Sequence, residues 1–202
     1  MNVLSIVLAY FVGSIPTAYL LVKKKTGQDV RQIGSKNMGA TNVFKSLGSK
    51  YGTLVFFIDF LKGACTLFFA LYIFNCPTWA VMFSGVAAVL GHNYPVWLLF
   101  NGGKGAATAS GVLVIYCLTQ ALFWQFSIFL LIVIIGYFLF KNLVSGATAA
   151  FAVMPLVFFF TGQTESGCFA LAIMLIIAIR FVPPAWHDIL RLFRDPYLHK
   201  QS

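Results

Sequence analysis

Three short strings in this chain mix glycine with the polar side chains that grip anions. They are Gly34-Ser35-Lys36-Asn37-Met38-Gly39-Ala40-Thr41-Asn42, Gly91-His92-Asn93-Tyr94-Pro95 and Gly102-Gly103-Lys104-Gly105-Ala106-Ala107-Thr108. Gly34 and Gly39 suit a turn that brings backbone N–H groups close to an anion. Ser35, Asn37 and Thr41 add hydroxyl and amide groups fit for a phosphate, or for a carbonyl oxygen gaining negative charge. Lys104 is a point charge between Gly103 and Gly105, with Thr108 nearby, and suits a single phosphate. It is not a Walker A lysine. Leu98 stands where that motif wants its first glycine and Gly105 where it wants Ser or Thr, so a nucleotide is not expected. His92, beside such an anion site, is a candidate proton acceptor. Thr41 or Asn42 is expected to cap a short helix over 43–47 that Gly48 ends. A helix N-terminus next to a glycine turn is itself an anion site.

These strings need elements to position them. The chain is 60% hydrophobic and 9% charged, with a mean hydropathy of +0.88, which excludes an ordinary soluble domain. Apolar runs near 3–22, 53–74, 79–99, 105–121, 123–140, 143–161 and 166–181 match the roughly 20 residues a spanning helix needs. The expected fold is therefore an all-α integral membrane protein. Residues 1–202 form a single seven-transmembrane-helix bundle with short interfacial helices on the cytoplasmic side and no soluble domain. The first span does not read as a signal peptide, because no basic residue precedes it and Lys23, Lys24 and Lys25 follow it.

Charge gives the orientation. With the N-terminus outside, segments 23–52, 100–104, 141–142 and 180–202 lie in the cytoplasm together with the C-terminus. Those segments hold 13 of the 14 basic residues, Lys62 being the exception. Such asymmetry requires a span count that is right or nearly so. All three strings then fall on one membrane face, which is the main argument for a site there. The net charge of +9 is read as orientation and attraction to anionic membrane lipids, not as a nucleic-acid footprint. Asp59 and Lys62, three residues apart, share a helix face. Each alone would cost about 2.5–3.5 kcal/mol near the bilayer centre, so an internal pair locking helices is expected, with a catalytic role as the alternative. Cys65, Cys76, Cys117 and Cys168 suit small apolar residues, with a Cys76–Cys168 bridge as the alternative. No spacing suggests a metal. After Pro183-Pro184, the residues Trp186, Ile189, Leu190 and Phe193 recur at helical spacing, so 182–202 is expected to form an amphipathic cytoplasmic tail.

Taken together, Gly-Ser-x-Asn-x-Gly-Ala-Thr-Asn at 34–42, Asp-Phe-x-Lys-Gly at 59–63, Gly-His-x-Tyr-Pro at 91–95 and Gly-Gly-Lys-Gly-x-Ala-Thr at 102–108 resemble the bacterial acyl-phosphate-dependent glycerol-3-phosphate acyltransferases. Length and span plan match too, so the resemblance covers nearly the whole chain. It implies transfer of a fatty acyl group from acyl phosphate to the 1-hydroxyl of glycerol 3-phosphate. The products are lysophosphatidic acid and phosphate, the first step of phospholipid synthesis. It further implies a multi-pass protein of the bacterial cell membrane with its site facing the cytoplasm, no metal or other cofactor and no obligate protein partner. The first string would cradle acyl phosphate, and Gly102, Gly103, Lys104 and Gly105 would hold glycerol phosphate. Two positions depart from the family pattern. Lys45 stands where the family usually has Arg, and Trp186-His187-Asp188-Ile189 stands where its last motif usually reads His-x-x-Asn-Ile.

On this reading the hydroxyl attacks the acyl carbonyl directly, without an acyl-enzyme. Ser35, Asn37 and backbone amides steady the carbonyl oxygen and the donor phosphate, while Lys104 and Lys45 neutralise the acceptor. The proton goes to His92 or to the donor's own phosphate. The competing class is a membrane transporter of a phosphorylated solute or lipid. Such a path normally needs midplane polarity, and only Asp59 and Lys62 supply it here. An acyltransferase with another acceptor is a further alternative.

Overall fold

A chain this apolar has to satisfy its backbone within each segment, and helices do that without neighbours. The computed structural model describes residues 1–180, and these form helices joined by short turns. In order they are α1 (Asn2–Gly13), α2 (Thr17–Thr26), α3 (Ala40–Leu47), α4 (Ser49–Phe68), α5 (Thr78–Asn93), α6 (Ala106–Thr119), α7 (Phe123–Phe140), α8 (Leu143–Phe160) and α9 (Thr164–Ile179). Four stretches are long and apolar enough to cross a membrane: Asn2–Thr26, Ser49–Ile73, Phe123–Phe140 and Leu143–Phe160. Ala106–Thr119 and Thr164–Ile179 are apolar but shorter. Leu131, Ile134, Phe138 and Leu139 of α7 point outward and exposed, a surface that suits lipid and not water.

The helix ends depart from the sequence expectation where proline and glycine act. The expected span 3–22 is broken between α1 and α2, because Pro16 lacks an N–H and its ring crowds the carbonyl four residues back. The span expected to reach residue 99 stops at Asn93, since Pro95 cannot continue it. A 3-10 turn, Val96–Leu98, follows. The short helix α3 begins at Ala40 with Gly39 as its N-cap, three residues before the expected start, so Thr41 and Asn42 lie in its first turn. Gly48 ends it as expected, at φ 89°. By contrast α7 occupies the residues its apolar run predicts. The expected tail over 182–202, with His187 and Asp188, lies outside the described residues.

Packing follows small residues. α1 lies chiefly on α5 and α4 on α6, while α8 joins α7 to α9. A Cβ added at Gly111 would overlap the Phe60 carbonyl, and one at Gly63 the Thr108 carbonyl. The α4–α6 backbones therefore approach as closely as glycine allows. Paired hydroxyls add polar links between helices, Ser5 with Ser84 at 3.0 Å and Tyr116 with Ser166 at 2.9 Å. The main core centres on Leu67, Leu113, Tyr116, Phe151, Met154 and Phe158. A smaller core of Val22, Val30, Met38, Val43 and Val55 fastens the 27–48 segment onto α2 and α4. The four cysteines are free thiols, so no Cys76–Cys168 bridge forms.

Asp59 and Lys62 pair as their spacing predicts, with Oδ1 and Nζ 2.9 Å apart. Lys62 also donates to the Ile15 carbonyl at 3.0 Å. At the break by Pro16 that carbonyl also accepts from the Thr17 N–H at 3.0 Å, so the buried lysine adds a second bond where the helical ladder is interrupted.

Gly111→Val should force α6 off the Phe60 carbonyl and lower stability by about 1–3 kcal/mol. Thermal unfolding in detergent tests this. An unchanged midpoint would mean the α4–α6 contact is not as close as described.

Candidate active site

The first string is shaped by one buried amide. Asn42, fully buried in the first turn of α3, accepts from the Ser35 N–H through Oδ1 at 2.8 Å. Its Nδ2 donates to the carbonyls of Val30, Ile33 and Asn37 at 3.2, 3.0 and 3.0 Å. With those bonds made, Asn42 shapes the loop from behind and does not line the cavity. Gly34 sits against it at φ 54°, and a Cβ there would collide with Oδ1. The loop so folded turns Ser35, Lys36, Asn37, Gly39 and Thr41 toward a common cavity. No side chain caps α3, whose first-turn amides therefore carry the partial positive charge of a helix start.

The second and third strings interlock. The N–H groups of Gly103 and Gly102 donate to the carbonyls of His92 and Asn93, each at 3.1 Å. From the other side Arg180 donates Nη2 to the Gly102 carbonyl at 2.6 Å and Nε to that of Gly103 at 3.1 Å. Its guanidinium stands 5.2 Å from the Tyr94 ring centroid, within cation–π range. The turn is thus clamped between α5 and α9, and the amides of Gly102 and Gly103 are engaged with protein. Asn93 reinforces the clamp by donating to the Ile176 carbonyl at 3.1 Å. The imidazole Nε2 of His92 abuts Gly103, where any side chain would overlap it. Thr108 is buried within α6 and does not line the cavity.

All three strings meet at a cavity of about 870 Å³, ample for small-molecule substrates. Lys36, Lys45, Lys104 and Arg180 line it, with Asp59 and His92 on the wall. Burial, and then the charge of Arg180, holds the Lys104 ammonium below the usual lysine value. The starts of α3 and α6 open onto the cavity, and neither carries a side-chain cap. The start of α8 joins them. Asn142 caps the amides of Val144 and Ser145 at 2.9 and 3.1 Å and donates to Thr41 at 3.4 Å. Cations and helix N-termini on one concave surface make an anion site. An apolar stretch of Ala106, Ala107, Phe140, Val144, Ala149 and Ala152 forms part of the remaining wall.

Of the residues singled out from sequence, Ser35, Asn37, Gly39, Thr41, Lys45, His92, Gly102, Lys104 and Gly105 line this cavity. Gly34, Asn42 and Gly103 stand behind it, and His187 and Asp188 lie outside the described residues. Sequence reasoning missed Arg180, which at the end of an apolar span looks like any orienting charge. It read Asp59 first as a helix lock, with a catalytic role as the alternative, and missed Lys36, Asn101, Ser145 and Thr148, which share the wall.

Residues 3–194 match the glycerol-3-phosphate acyltransferase family profile. The chain is 42% identical over 170 residues to the glycerol-3-phosphate acyltransferase of Aquifex aeolicus (strain VF5), covering 84% of this chain and 85% of that one. The Geobacillus kaustophilus (strain HTA426) enzyme of the same name is 37% identical over 181 residues, 90% of this chain and 87% of its own. Among solved structures, PlsY, an integral membrane glycerol 3-phosphate acyltransferase, superposes in its glycerol 3-phosphate form with a TM-score of 0.75. That match has 38% identity and covers 96% of this chain and 92% of that one. PlsY in its lysophosphatidic acid form gives 0.72 at 37% identity, covering 94% and 92%. A helical acyltransferase with an anion-binding cavity is the class these findings define. The chain belongs to the glycerol-3-phosphate acyltransferase family.

Asn42→Ala strips the loop of its central acceptor and donor. It should cost about 1–3 kcal/mol, the price of stranding buried backbone groups, and appear as a lowered unfolding midpoint. A variant as stable as wild type would show that the loop holds itself.

Proposed function

We propose that this protein transfers a fatty acyl group from acyl phosphate to the 1-hydroxyl of glycerol 3-phosphate, releasing lysophosphatidic acid and inorganic phosphate. The observation that carries the reading is the single cavity where three glycine-bearing strings meet four cations beside an apolar wall. Two phosphate-bearing substrates need that much positive charge, and one of them needs a greasy surface for its chain. The PlsY forms named for glycerol 3-phosphate and lysophosphatidic acid match the acceptor and the product.

The chemistry demands positioning above all. Acyl phosphate is a mixed anhydride with a good leaving group, so no acyl-enzyme, metal or other cofactor is required. The acceptor's hydroxyl oxygen bonds to the carbonyl carbon, the bond from that carbon to the phosphate oxygen breaks, and the hydroxyl proton goes to the departing phosphate or to His92. Ser35, Asn37 and the start of α3 hold the donor's phosphate and carbonyl oxygen. Lys104 and Lys45 neutralise the acceptor's phosphate. Holding both reactants together and stabilising the developing oxyanion supply the rate.

The reading places the protein in a bacterial cell membrane with seven spans, α1 and α2 forming one bent span. The N-terminus lies outside, and the cavity and C-terminus face the cytoplasm. Lysines and arginines concentrated in segments 23–52, 100–104 and 141–142 support that orientation.

Purified protein given palmitoyl phosphate and glycerol 3-phosphate should release phosphate and form lysophosphatidic acid. Release with neither that nor any other acyl phosphate would refute the proposal, and flux of labelled substrate across liposomes without conversion would replace it with transport. Lys104→Ala should raise KM for glycerol 3-phosphate roughly ten- to hundredfold, the worth of a hydrogen bond to a charged group. The ammonium binds phosphate only while protonated. Its contribution is therefore full at low pH and is lost as pH rises through the depressed pKa. Lys104→Arg should abolish that alkaline loss of acceptor affinity; a limb unmoved by the substitution would assign it to another group.

A further inference from the structure

The mechanism leaves Asp59, Lys62 and Thr17 without a part, although membrane interiors rarely hold such groups idle. Among the described residues, the buried atoms Thr17 Oγ1 and His92 Nδ1 have no hydrogen-bond partner, and Asp59 Oδ1 is held by its ion pair with Lys62. All three residues border one small hollow of about 10 Å³, together with Ser14, Lys62 and Gly103. Thr17, Asp59 and His92 are buried, with relative exposures of 8%, 2% and 8%. Ser14, Thr17, Asp59, Lys62 and His92 line the hollow beside the apolar Ile15, Pro16, Met38 and Pro95, and its size is that of one water.

The spacing fits the same occupant. Asp59 Oδ1 and His92 Nδ1 stand 3.7 Å apart, too far for a direct hydrogen bond and the kind of gap a bridging water fills. The carboxylate cannot swing closer without leaving Lys62 Nζ at 2.9 Å, and Lys62 is itself anchored on the Ile15 carbonyl at 3.0 Å.

We propose that one buried water occupies this hollow, and that Asp59 acts through it as a positioning residue for His92. The water donates to Asp59 Oδ1 and accepts from the His92 Nδ1–H and the Thr17 hydroxyl, which gives Thr17 Oγ1 and His92 Nδ1 the partner they lack. A proton on Nδ1 leaves the lone pair of the neutral imidazole on Nε2, the nitrogen beside Gly103 at the cavity wall. The carboxylate, the water and the break at Pro16 thus select a tautomer and a ring orientation, as outer partners do for functional histidines.

The water site stands on geometry alone; its kinetic consequence rests on the acyl-transfer reading. The test therefore has two arms. A crystal structure that resolves ordered solvent should show a peak within hydrogen-bonding distance of Thr17 Oγ1, Asp59 Oδ1 and His92 Nδ1. A direct Asp59–His92 hydrogen bond with no peak in the hollow overturns the proposal. In the kinetic arm, Asp59→Asn with Lys62→Met removes both charges together, so no buried ion is left alone. The pair should lower kcat about tenfold with KM for glycerol 3-phosphate within about twofold. In a His92→Ala background the same pair should lower kcat no further. Thr17→Val, which keeps the fold's shape, should lower kcat about fivefold through one lost bond. Full kcat in the charge-free pair, or an equal further loss without His92, would make Asp59 a helix lock only. A wild type that transfers no acyl group refutes the functional reading, while the density still decides the water site.

Discussion

Like charges gathered in a poorly solvated cavity repel one another, and much of this structure manages that repulsion. Two like charges 10 Å apart at an effective dielectric of 20 repel by about 1.7 kcal/mol. Lys36, Lys45, Lys104 and Arg180 share one cavity with Asp59 as the carboxylate on its wall, and two uncapped helix starts add to the positive potential. Arg180 is offset by two backbone carbonyls and the Tyr94 ring. On the proposed function, an arriving phosphate dianion relieves part of the repulsion among these four cations. Substrate affinity and electrostatic strain in the empty fold are two sides of one arrangement, so bound phosphates should also stabilise the protein.

The polar residues inside the apolar helices serve the places where backbone hydrogen bonding is interrupted. Pro16 takes the Ile15 carbonyl out of the helical ladder, and Lys62 donates to it beside the Thr17 N–H. Pro95 ends α5, and the carbonyls of His92 and Asn93 are taken by the glycine turn. The loop before α3 has no ladder of its own and is gathered by Asn42. Each break is repaired by a group that also borders the cavity or holds its wall. A single substitution at one of these repairs therefore perturbs fold and site together, which is why kcat and stability have to be measured side by side.

Much of this could be read from composition and punctuation. The α7 run is apolar over a full span and bounded by turn residues, so its limits followed directly. The three strings announced an anion site because glycine beside Ser, Asn, Thr and Lys has few other uses next to a membrane. What escaped was three-dimensional. Periodicity counts apolar residues and passed over Pro16 inside an apolar run, so the break between α1 and α2 was missed. Asn42 and Ser35 carry the same kind of label in sequence, yet one is buried behind the loop and the other faces the cavity. Arg180 lies 78 residues from Gly102 in sequence, and no local signal joins them.

The account stands on one cavity holding two phosphate-bearing molecules at the same time. The most direct measurement is calorimetric titration of glycerol 3-phosphate into protein already saturated with a non-hydrolysable acyl phosphonate. One glycerol 3-phosphate should bind per chain, with affinity no weaker than for the phosphonate-free protein. Mutual exclusion of the two ligands would mean that they compete for a single phosphate site, and direct attack within a ternary complex would have to be abandoned.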